Sequence, residues 1–138
     1  MLHKENIAAA VRSLKGHTQP GEDGLPTDLY AEIEKLGGET WETMVCHLRR
    51  LYREIYENGR MPDNMREFIT SLIHKGKGLP ANDPESYRPI SVMSAEYRIL
   101  ARAMAQRLAL VLQRVIGSTQ IGFLLGHQIG ENIDLMTE

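Results

Sequence analysis

The sequence predicts an α+β fold that is mostly helical and contains one small β-hairpin. Most of the chain places its apolar residues at the spacing of amphipathic helices. Only residues 68–74 and 87–92 are apolar and β-branched enough to predict strands, and a glycine-rich turn follows the first of them. With 138 residues, of which 42% are hydrophobic and 25% charged, the chain has the size and composition of one ordinary globular domain.

The N-terminal half is predicted to be helical. Residues 4–15 predict a short amphipathic helix, and a loop dense in turn-forming residues follows over 17–26. Thr27 is the expected N-cap of a helix over 28–36. The longest early helix is predicted over 39–58. The residues expected to form its buried stripe are Trp41, Met44, Val45, Leu48, Tyr52, Ile55 and Tyr56.

The C-terminal half begins with a short helical turn opened by Pro62 and continues into the predicted hairpin. Ser94 is the expected N-cap of a long helix that runs to about Ile116. A glycine-rich loop and the start of another helix near Glu131 are predicted beyond it. The apolar face expected for the long helix consists of Tyr97, Leu100, Ala101, Met104, Leu108, Val111, Leu112 and Val115.

Charge and cysteine content narrow the function classes. The formal net charge is -2, so the overall charge gives no indication of nucleic-acid binding, although a local basic patch is not excluded. The one cysteine, Cys46, rules out an internal disulfide and fits a reducing compartment. Residues 1–10 contain no long apolar run, so we do not expect them to be a signal peptide, and no stretch approaches the roughly 20 apolar residues that span a bilayer. We therefore expect an intracellular protein, cytoplasmic or nuclear, that is neither secreted nor bound to a membrane.

No catalytic or metal-binding constellation is evident. Two-metal phosphoryl transfer needs carboxylates held rigidly at one point, whereas the acidic pairs of this chain fall in predicted turns or on helix surfaces. The histidines are scattered, and one cysteine cannot form a zinc-binding pair. The segment Lys75-Gly76-Lys77-Gly78 lacks the spacing of a phosphate-binding loop. The sequence therefore predicts no catalytic residue, no metal site and no cofactor in this chain.

Basic residues on the hairpin and on the long helix are the remaining candidates. Lys75 follows the first strand and Arg88 lies on the second, so together they could neutralise the phosphates of a nucleoside triphosphate. Arg98 and Arg102 stand one helical turn apart and could form a positive stripe for a nucleic-acid backbone. The alternative for all of them is an ordinary solvent-exposed loop or helix surface.

Several motifs, in a fixed order, resemble those of non-LTR (LINE-type) reverse transcriptases. The Arg-Pro-Ile-Ser block is the most specific, and the ordered set covers nearly the whole chain. The matching segments are Pro20-Gly21-Glu22-Asp23-Gly24, Ile73-His74-Lys75-Gly76-Lys77, Ser86-Tyr87-Arg88-Pro89-Ile90-Ser91-Val92, Tyr97-Arg98-Ile99-Leu100-Ala101-Arg102 with Gln106-Arg107-Leu108, and Gln120-Ile121-Gly122-Phe123 with Gly126-His127-Gln128-Ile129 and Glu131-Asn132-Ile133.

The resemblance implies that residues 1–138 form the N-terminal, fingers portion of the reverse transcriptase domain, which has a right-hand polymerase fold. It implies that Lys75 and Arg88 contact the phosphates of an incoming dNTP. The residues for which it implies nucleic-acid contacts are Arg98, Arg102, Gln120, Gly122 and Phe123.

The resemblance also implies partners that lie outside this chain. Full-length relatives copy an RNA template onto a DNA primer and use Mg²⁺ held by acids of the palm. The palm, which is the expected structural partner of the fingers, is not present here, and neither are the thumb and the endonuclease. We therefore expect a fragment that contributes template and nucleotide contacts but does not polymerise DNA.

Departures from the family pattern keep a second hypothesis open. Glu22 and His74 stand where the family has proline. The loss of proline at position 74 would make the approach to the hairpin tip less rigid. Met65 replaces a tryptophan, and His127 replaces an arginine that would carry a permanent charge. The second hypothesis is a catalytically dead retroelement remnant or a helical interaction module without nucleic-acid function. A self-contained enzyme ranks last because no nucleophile, base and orienting group converge.

Overall fold

The computed structural model describes residues 2–116, apart from the side chains of residues 113 and 114. The elements in chain order are α1 (Lys4–Ser13), α2 (Thr27–Leu36), α3 (Gly38–Asn58), α4 (Asp63–Arg66), β1 (Phe68–His74), β2 (Tyr87–Met93) and α5 (Ala95–Val115). The strands form one antiparallel sheet, so the prediction of a mostly helical α+β fold with a small hairpin is confirmed. The loop and helix predicted beyond Gly117 lie outside the described residues.

The core lies between α1, α2, α3 and the N-terminal half of α5. Helix α1 presents a face of small and branched side chains, and Ile7, Ala10 and Val11 on it are almost completely buried. The buried residues on the facing side of α5 include Ile99 and Ala103. Alanine adds little volume at such a contact, so the two helix axes can approach closely. Because α1 also packs against α2 and α3, it is the central helix of the bundle.

Helix α3 begins directly after Gly37, the one residue that separates it from α2. Gly37 and Gly38 both have a φ of 64°, a left-handed value that costs about 1–2 kcal/mol for a residue with a Cβ. The two glycines therefore allow the sharp change of direction between the helices. The buried residues of α3 are Trp41, Val45, Leu48 and Tyr52, as the periodicity predicts.

Two predictions about single residues in these helices are wrong. Tyr56 is 86% exposed, because Ile55 takes the core-facing position in the last turn of α3 and neighbouring side chains differ by about 100° around a helix. Thr27 is the first residue of α2, and Pro26 occupies the cap. The buried hydroxyl of Thr27 instead donates to the carbonyl oxygen of Lys15 at 3.4 Å, which joins the two ends of the loop.

Helix α5 has the predicted cap, and Leu100 of its predicted face is buried, but the rest of its buried face is different. The Oγ of Ser94 accepts a hydrogen bond from the backbone N–H of Tyr97 at 3.3 Å. Ile99 and Ala103 lie outside the predicted face and are buried completely. With 10 residues, α1 can cover only part of the 21-residue α5, and none of the side chains described after Ala103 is buried. The residues predicted to be buried that are instead exposed are Ala101, Met104, Leu108, Val111 and Val115.

The hairpin stands apart from the helical core. Phe68 pairs with Met93 and His74 pairs with Tyr87, which gives a ladder in continuous register. Apolar side chains are exposed on both faces, since Phe68 (53%) and Ile73 (54%) point to opposite sides. A two-stranded hairpin is only marginally stable by itself, so the base of this one depends on its contacts with the helices.

Candidate functional site

A close contact at Gly21 anchors the base of the hairpin. A Cβ built on Gly21 would lie 2.7 Å from the backbone nitrogen of Ser94 and 2.9 Å from the carbonyl carbon of Met93. These atoms belong to the junction between β2 and α5, and backbone cannot move aside as a flexible side chain can. Gly21 therefore lets the loop after α1 lie directly on the end of the hairpin.

The remaining residues of the same motif form the turn itself. Gly24 has a φ of +69°, and its N–H donates to the carbonyl oxygen of Gly21 at 3.1 Å. Asp23 accepts a hydrogen bond on Oδ1 from the N–H of Leu25 at 3.0 Å, the Asx arrangement that favours this residue type in turns. The two glycines and the aspartate of the Pro-Gly-x-Asp-Gly pattern thus each have a structural explanation.

Lys75 and Arg88 lie on the same face of the hairpin. The N–H of Lys75 donates to the carbonyl oxygen of Ser86 at 2.8 Å, which adds one more pair to the end of the ladder. Arg88 pairs with Ile73 on the opposite strand, and alternate residues of a strand share a face. Lys75 and Arg88 are therefore diagonal neighbours, a relation with a typical Cα separation of about 7–8 Å. The structure thus brings together the two cations that the sequence singles out.

The two cations differ in what already contacts them. Arg88 is exposed, and no carboxylate among the described side chains forms an ion pair with it. Lys75 is also exposed, but its Nζ donates to the carbonyl oxygen of Glu85 at 2.5 Å. That oxygen carries no formal charge, so neither cation is neutralised by an acid within residues 2–116. Both remain able to attract an anion.

His74 and two glycines organise the loop between the strands. Gly76 and Gly78 have φ values of +73° and +72°, and Lys77 between them has +59°. The N–H of Gly76 donates to Nδ1 of His74 at 3.0 Å, and the His74 ring meets Tyr87 edge-on with centroids 5.1 Å apart. The imidazole of His74 thus restricts the backbone at the start of the loop through these two contacts. A proline at this position would restrict the backbone through its ring, which fixes φ.

Arg98 and Arg102 face the N-terminal segment of the chain. An Nη of Arg98 donates to Oγ1 of Thr18 at 2.8 Å, and Nε of Arg102 donates to Oγ of Ser13 at 2.9 Å. Arg98 is half-buried and Arg102 is exposed. These bonds hold α5 against the end of α1 and the loop that follows. Contact of either arginine with nucleic acid stays a prediction.

A polar cluster that the sequence did not predict, with two buried tyrosines and the exposed His47, lies between α2, α3 and the start of α5. Burial, and then the negative charge of Glu96, raises the pKa of Tyr30 well above its usual range. Tyr52 donates its hydroxyl to the carbonyl oxygen of Glu96 at 3.0 Å, and Nε2 of His47 lies 3.7 Å from the Glu96 carboxylate. Tyr30, His47 and Glu96 border a cavity of about 620 Å³. Helical spacing gave no signal for this cluster, because Tyr52 and Glu96 are 44 residues apart.

Three of the predicted site residues fall outside the described part of the chain. Gln120, Gly122 and Phe123, which were predicted to contact nucleic acid, lie beyond residue 116. Within the described range, no group of three or more His, Cys, Asp and Glu side chains is arranged to hold a metal ion. No helix in that range is long and apolar enough to cross a membrane.

Comparison with known proteins finds relatives that align with most of the chain, although no protein-family model matches it. The chain is 28% identical over 134 residues to an uncharacterized 149 kDa protein of transposon TX1 from Xenopus laevis, covering 97% of this chain and 10% of that protein. It is 29% identical over 139 residues to the probable RNA-directed DNA polymerase from transposon BS of Drosophila melanogaster, covering 99% and 14%.

A further relative is the probable RNA-directed DNA polymerase from transposon X-element of Drosophila melanogaster. It is 28% identical over 96 residues, covering 68% of this chain and 10% of the relative. The chain therefore spans only 10% to 14% of the length of these proteins.

Proposed function

We propose, from the relation of this chain to retrotransposon RNA-directed DNA polymerases, that it forms the fingers part of such an enzyme and contacts the RNA template and the incoming nucleotide. The relation rests on similarity to transposon proteins over most of the chain, and it confirms the resemblance seen in the motifs. Because the chain spans a small share of each relative, polymerisation is assigned here to a longer protein. This chain contributes binding contacts.

The placement of Lys75 and Arg88 on one hairpin face is the observation that carries the proposal. A triphosphate presents several negative oxygens close together, and it is bound well by a planar guanidinium beside a point-like ammonium. Both side chains are exposed, and neither has a carboxylate partner in the described part of the chain. The ladder fixes the relative position of their backbones, so binding of a nucleotide has to order the two side chains but not the strands that carry them.

Metal chemistry is not assigned to these residues. Nucleotidyl transfer by two Mg²⁺ ions needs converging carboxylates, and the described side chains do not fit that requirement because no acidic group of this kind is found among them. Palm carboxylates of a longer polymerase would supply that chemistry. The role proposed for Lys75 and Arg88 is to hold and orient the phosphates of the dNTP.

Replacing Lys75 and Arg88 together with alanine is expected to weaken nucleotide binding at least about tenfold, because charge-assisted contacts contribute more than neutral ones. The measurement is an NMR titration of the 138-residue chain with a deoxynucleoside triphosphate, following backbone amides of the hairpin. The helical core should keep its spectrum, since both side chains are exposed.

The matched control is Lys77→Asn, which removes one positive charge from the same loop. Asparagine tolerates the positive φ of this position better than alanine does, so the turn should persist. We expect this variant to keep most of the affinity. If Lys77→Asn weakens binding as much as the double variant, the effect comes from the charge of the whole loop, and the assignment to Lys75 and Arg88 is wrong.

The exposed apolar stripe on α5 favours a second candidate function, a helical interaction module. Met104 (59%), Leu108 (55%) and Val111 (55%) lie three or four residues apart and therefore share one side of the helix. Such a stripe on a surface commonly marks a protein contact. The two candidates are compatible if the stripe packs against another part of a polymerase. If the chain is instead an interaction module that does not bind nucleotide, the NMR titration should shift no amide resonance of the hairpin.

A further inference from the structure

A cavity of about 270 Å³ lies beside the base of the hairpin. It is formed where the loop after α1 meets the end of β2 and the first turn of α5. The residues that line it are Thr18, Gln19, Ser91, Val92, Met93 and Arg98. None of the functions considered so far uses the cavity as a binding site.

The lining of this cavity suits an anion. Arg98 supplies a positive charge, and the other polar side chains are neutral hydroxyls and one amide. No aspartate or glutamate lines the cavity, and no carboxylate among the described residues forms an ion pair with Arg98. The larger cavity beside Tyr30 is bordered by Glu39 and Glu96 and has the opposite electrostatic character.

The cation is held in place before any ligand arrives. One nitrogen of the Arg98 guanidinium donates to Oγ1 of Thr18 at 2.8 Å, and that oxygen lies 3.2 Å from Oγ1 of Thr27. The side chain is half-buried, so its charge is less screened by water than that of a surface arginine. Because the guanidinium has five N–H donors, the bond to Thr18 leaves others for a ligand.

We propose that this cavity binds one phosphate group. Arg98 provides the charge, while Gln19 and Ser91 provide neutral hydrogen-bonding groups in the lining, and the hydroxyl of Ser91 also lies 3.0 Å from Oγ1 of Thr70. The phosphate is assigned to the backbone of a nucleic-acid strand, and this choice of source rests on the proposed function. The site is distinct from Lys75 and Arg88, which lie at the other end of the hairpin.

Arg98→Gln tests the charge while keeping a donor for Thr18. The measurement is binding of a short single-stranded RNA to the 138-residue chain at several salt concentrations. Loss of one phosphate contact should make the negative slope of log K against log salt shallower by about 0.7. It should also weaken binding about tenfold at low salt. Arg98→Lys should restore the slope.

The matched control is Arg50→Gln, because Arg50 is an exposed arginine on α3 that pairs with Glu54. It changes the net charge equally and should leave the slope unchanged. Gln19 offers a second test that does not touch the bond between Arg98 and Thr18. Gln19→Glu should weaken RNA binding and Gln19→Lys should strengthen it. Equal slopes for Arg98→Gln and the unmodified chain, or equal affinities for the two Gln19 variants, overturn the proposal.

The source of the phosphate is read from the Nε–H resonance of Arg98. Titration with RNA, with inorganic phosphate and with a deoxynucleoside triphosphate should shift this resonance, and RNA should saturate it at the lowest concentration. Saturation by inorganic phosphate or the triphosphate at the same concentration as RNA overturns the assignment to a strand. No shift with any of the three overturns the site itself.

The two proposals fail independently. The Lys75→Ala, Arg88→Ala variant should lose nucleotide binding at the hairpin and keep the response of Arg98 to RNA. If the hairpin does not bind nucleotide but the Arg98 response persists, only the hairpin assignment is lost. If the double variant abolishes the Arg98 response, the cavity is not a separate site.

Discussion

The two glycines of the turn after α1 have different reasons to be glycine. Gly21 is needed for space, because backbone atoms of Met93 and Ser94 occupy the position of its missing side chain. Gly24 is needed for its left-handed φ, since nothing lies within 4 Å of a Cβ built on it. The same residue type thus meets a packing requirement at one position and a conformational requirement at the other.

Gly21→Ala is expected to destabilise the fold by about 1–3 kcal/mol, because added volume against fixed backbone forces a shift. Gly24→Asn is the matched control. Asparagine tolerates the left-handed region and Gly24 has open space around it, so the change should stay within about 0.5 kcal/mol. Urea unfolding followed by circular dichroism measures both. Equal stability of the two variants would show that the loop can move away from the hairpin.

Sequence patterns located this turn but not what it touches. Glycine, proline and aspartate in a short segment predict a turn because their preferences are local. The contact of Gly21 with Ser94, like the hydrogen bond between Thr18 and Arg98 across 80 residues, depends on tertiary packing. The proximity of Lys75 and Arg88 was easier to anticipate, since a hairpin brings neighbouring strands together by local geometry.

Among the elements, the hairpin was predicted well and the face of α5 was not. The first strand was predicted over 68–74 and is observed at Phe68–His74, because branched residues bounded by turn formers define a strand locally. Helix α5 has apolar residues on more than one side. Its periodicity therefore could not decide which side meets α1, and the side carrying Ile99 and Ala103 is the buried one.

A pair of truncations on α5 tests this choice of face. Ile99→Ala should cost about 2–5 kcal/mol, because it leaves a cavity in the core. Met104→Ala should change the free energy of unfolding by less than about 0.5 kcal/mol, since Met104 is 59% exposed. Chemical denaturation of each variant gives both values. A larger loss for Met104→Ala than for Ile99→Ala would mean that α5 packs through the opposite side in solution.

At the scale of the molecule, the described residues expose groups of apolar side chains on the hairpin and on the C-terminal half of α5, in addition to separate exposed residues such as Leu36 and Tyr56. Phe68, Leu72 and Ile73 are more than half exposed on the hairpin, and Leu110 is 70% exposed on α5. Surfaces of this kind usually meet another protein surface. These exposed apolar side chains of the described residues are not part of the helical core, and we expect them to contact another protein surface.

The 138-residue chain is expected to self-associate reversibly through the α5 stripe at high protein concentration. Replacing Met104 and Leu108 together with glutamine should weaken that association, while Tyr56→Gln should not, although Tyr56 is itself 86% exposed. Sedimentation velocity across a range of concentrations measures the effect. A chain that stays monomeric throughout would contradict self-association through the stripe.

The packing of α1 against α5 has a consequence for synthesis of the chain on the ribosome. Ser13 and Arg102 are bonded across 89 residues, and translation at roughly 5–20 residues per second separates their emergence by roughly 4–18 seconds. During that interval Ile7 and Val11 lack the helix that finally covers them. Nascent α1 is therefore a natural site for a holdase chaperone, and slower translation of the intervening codons would lengthen its exposure.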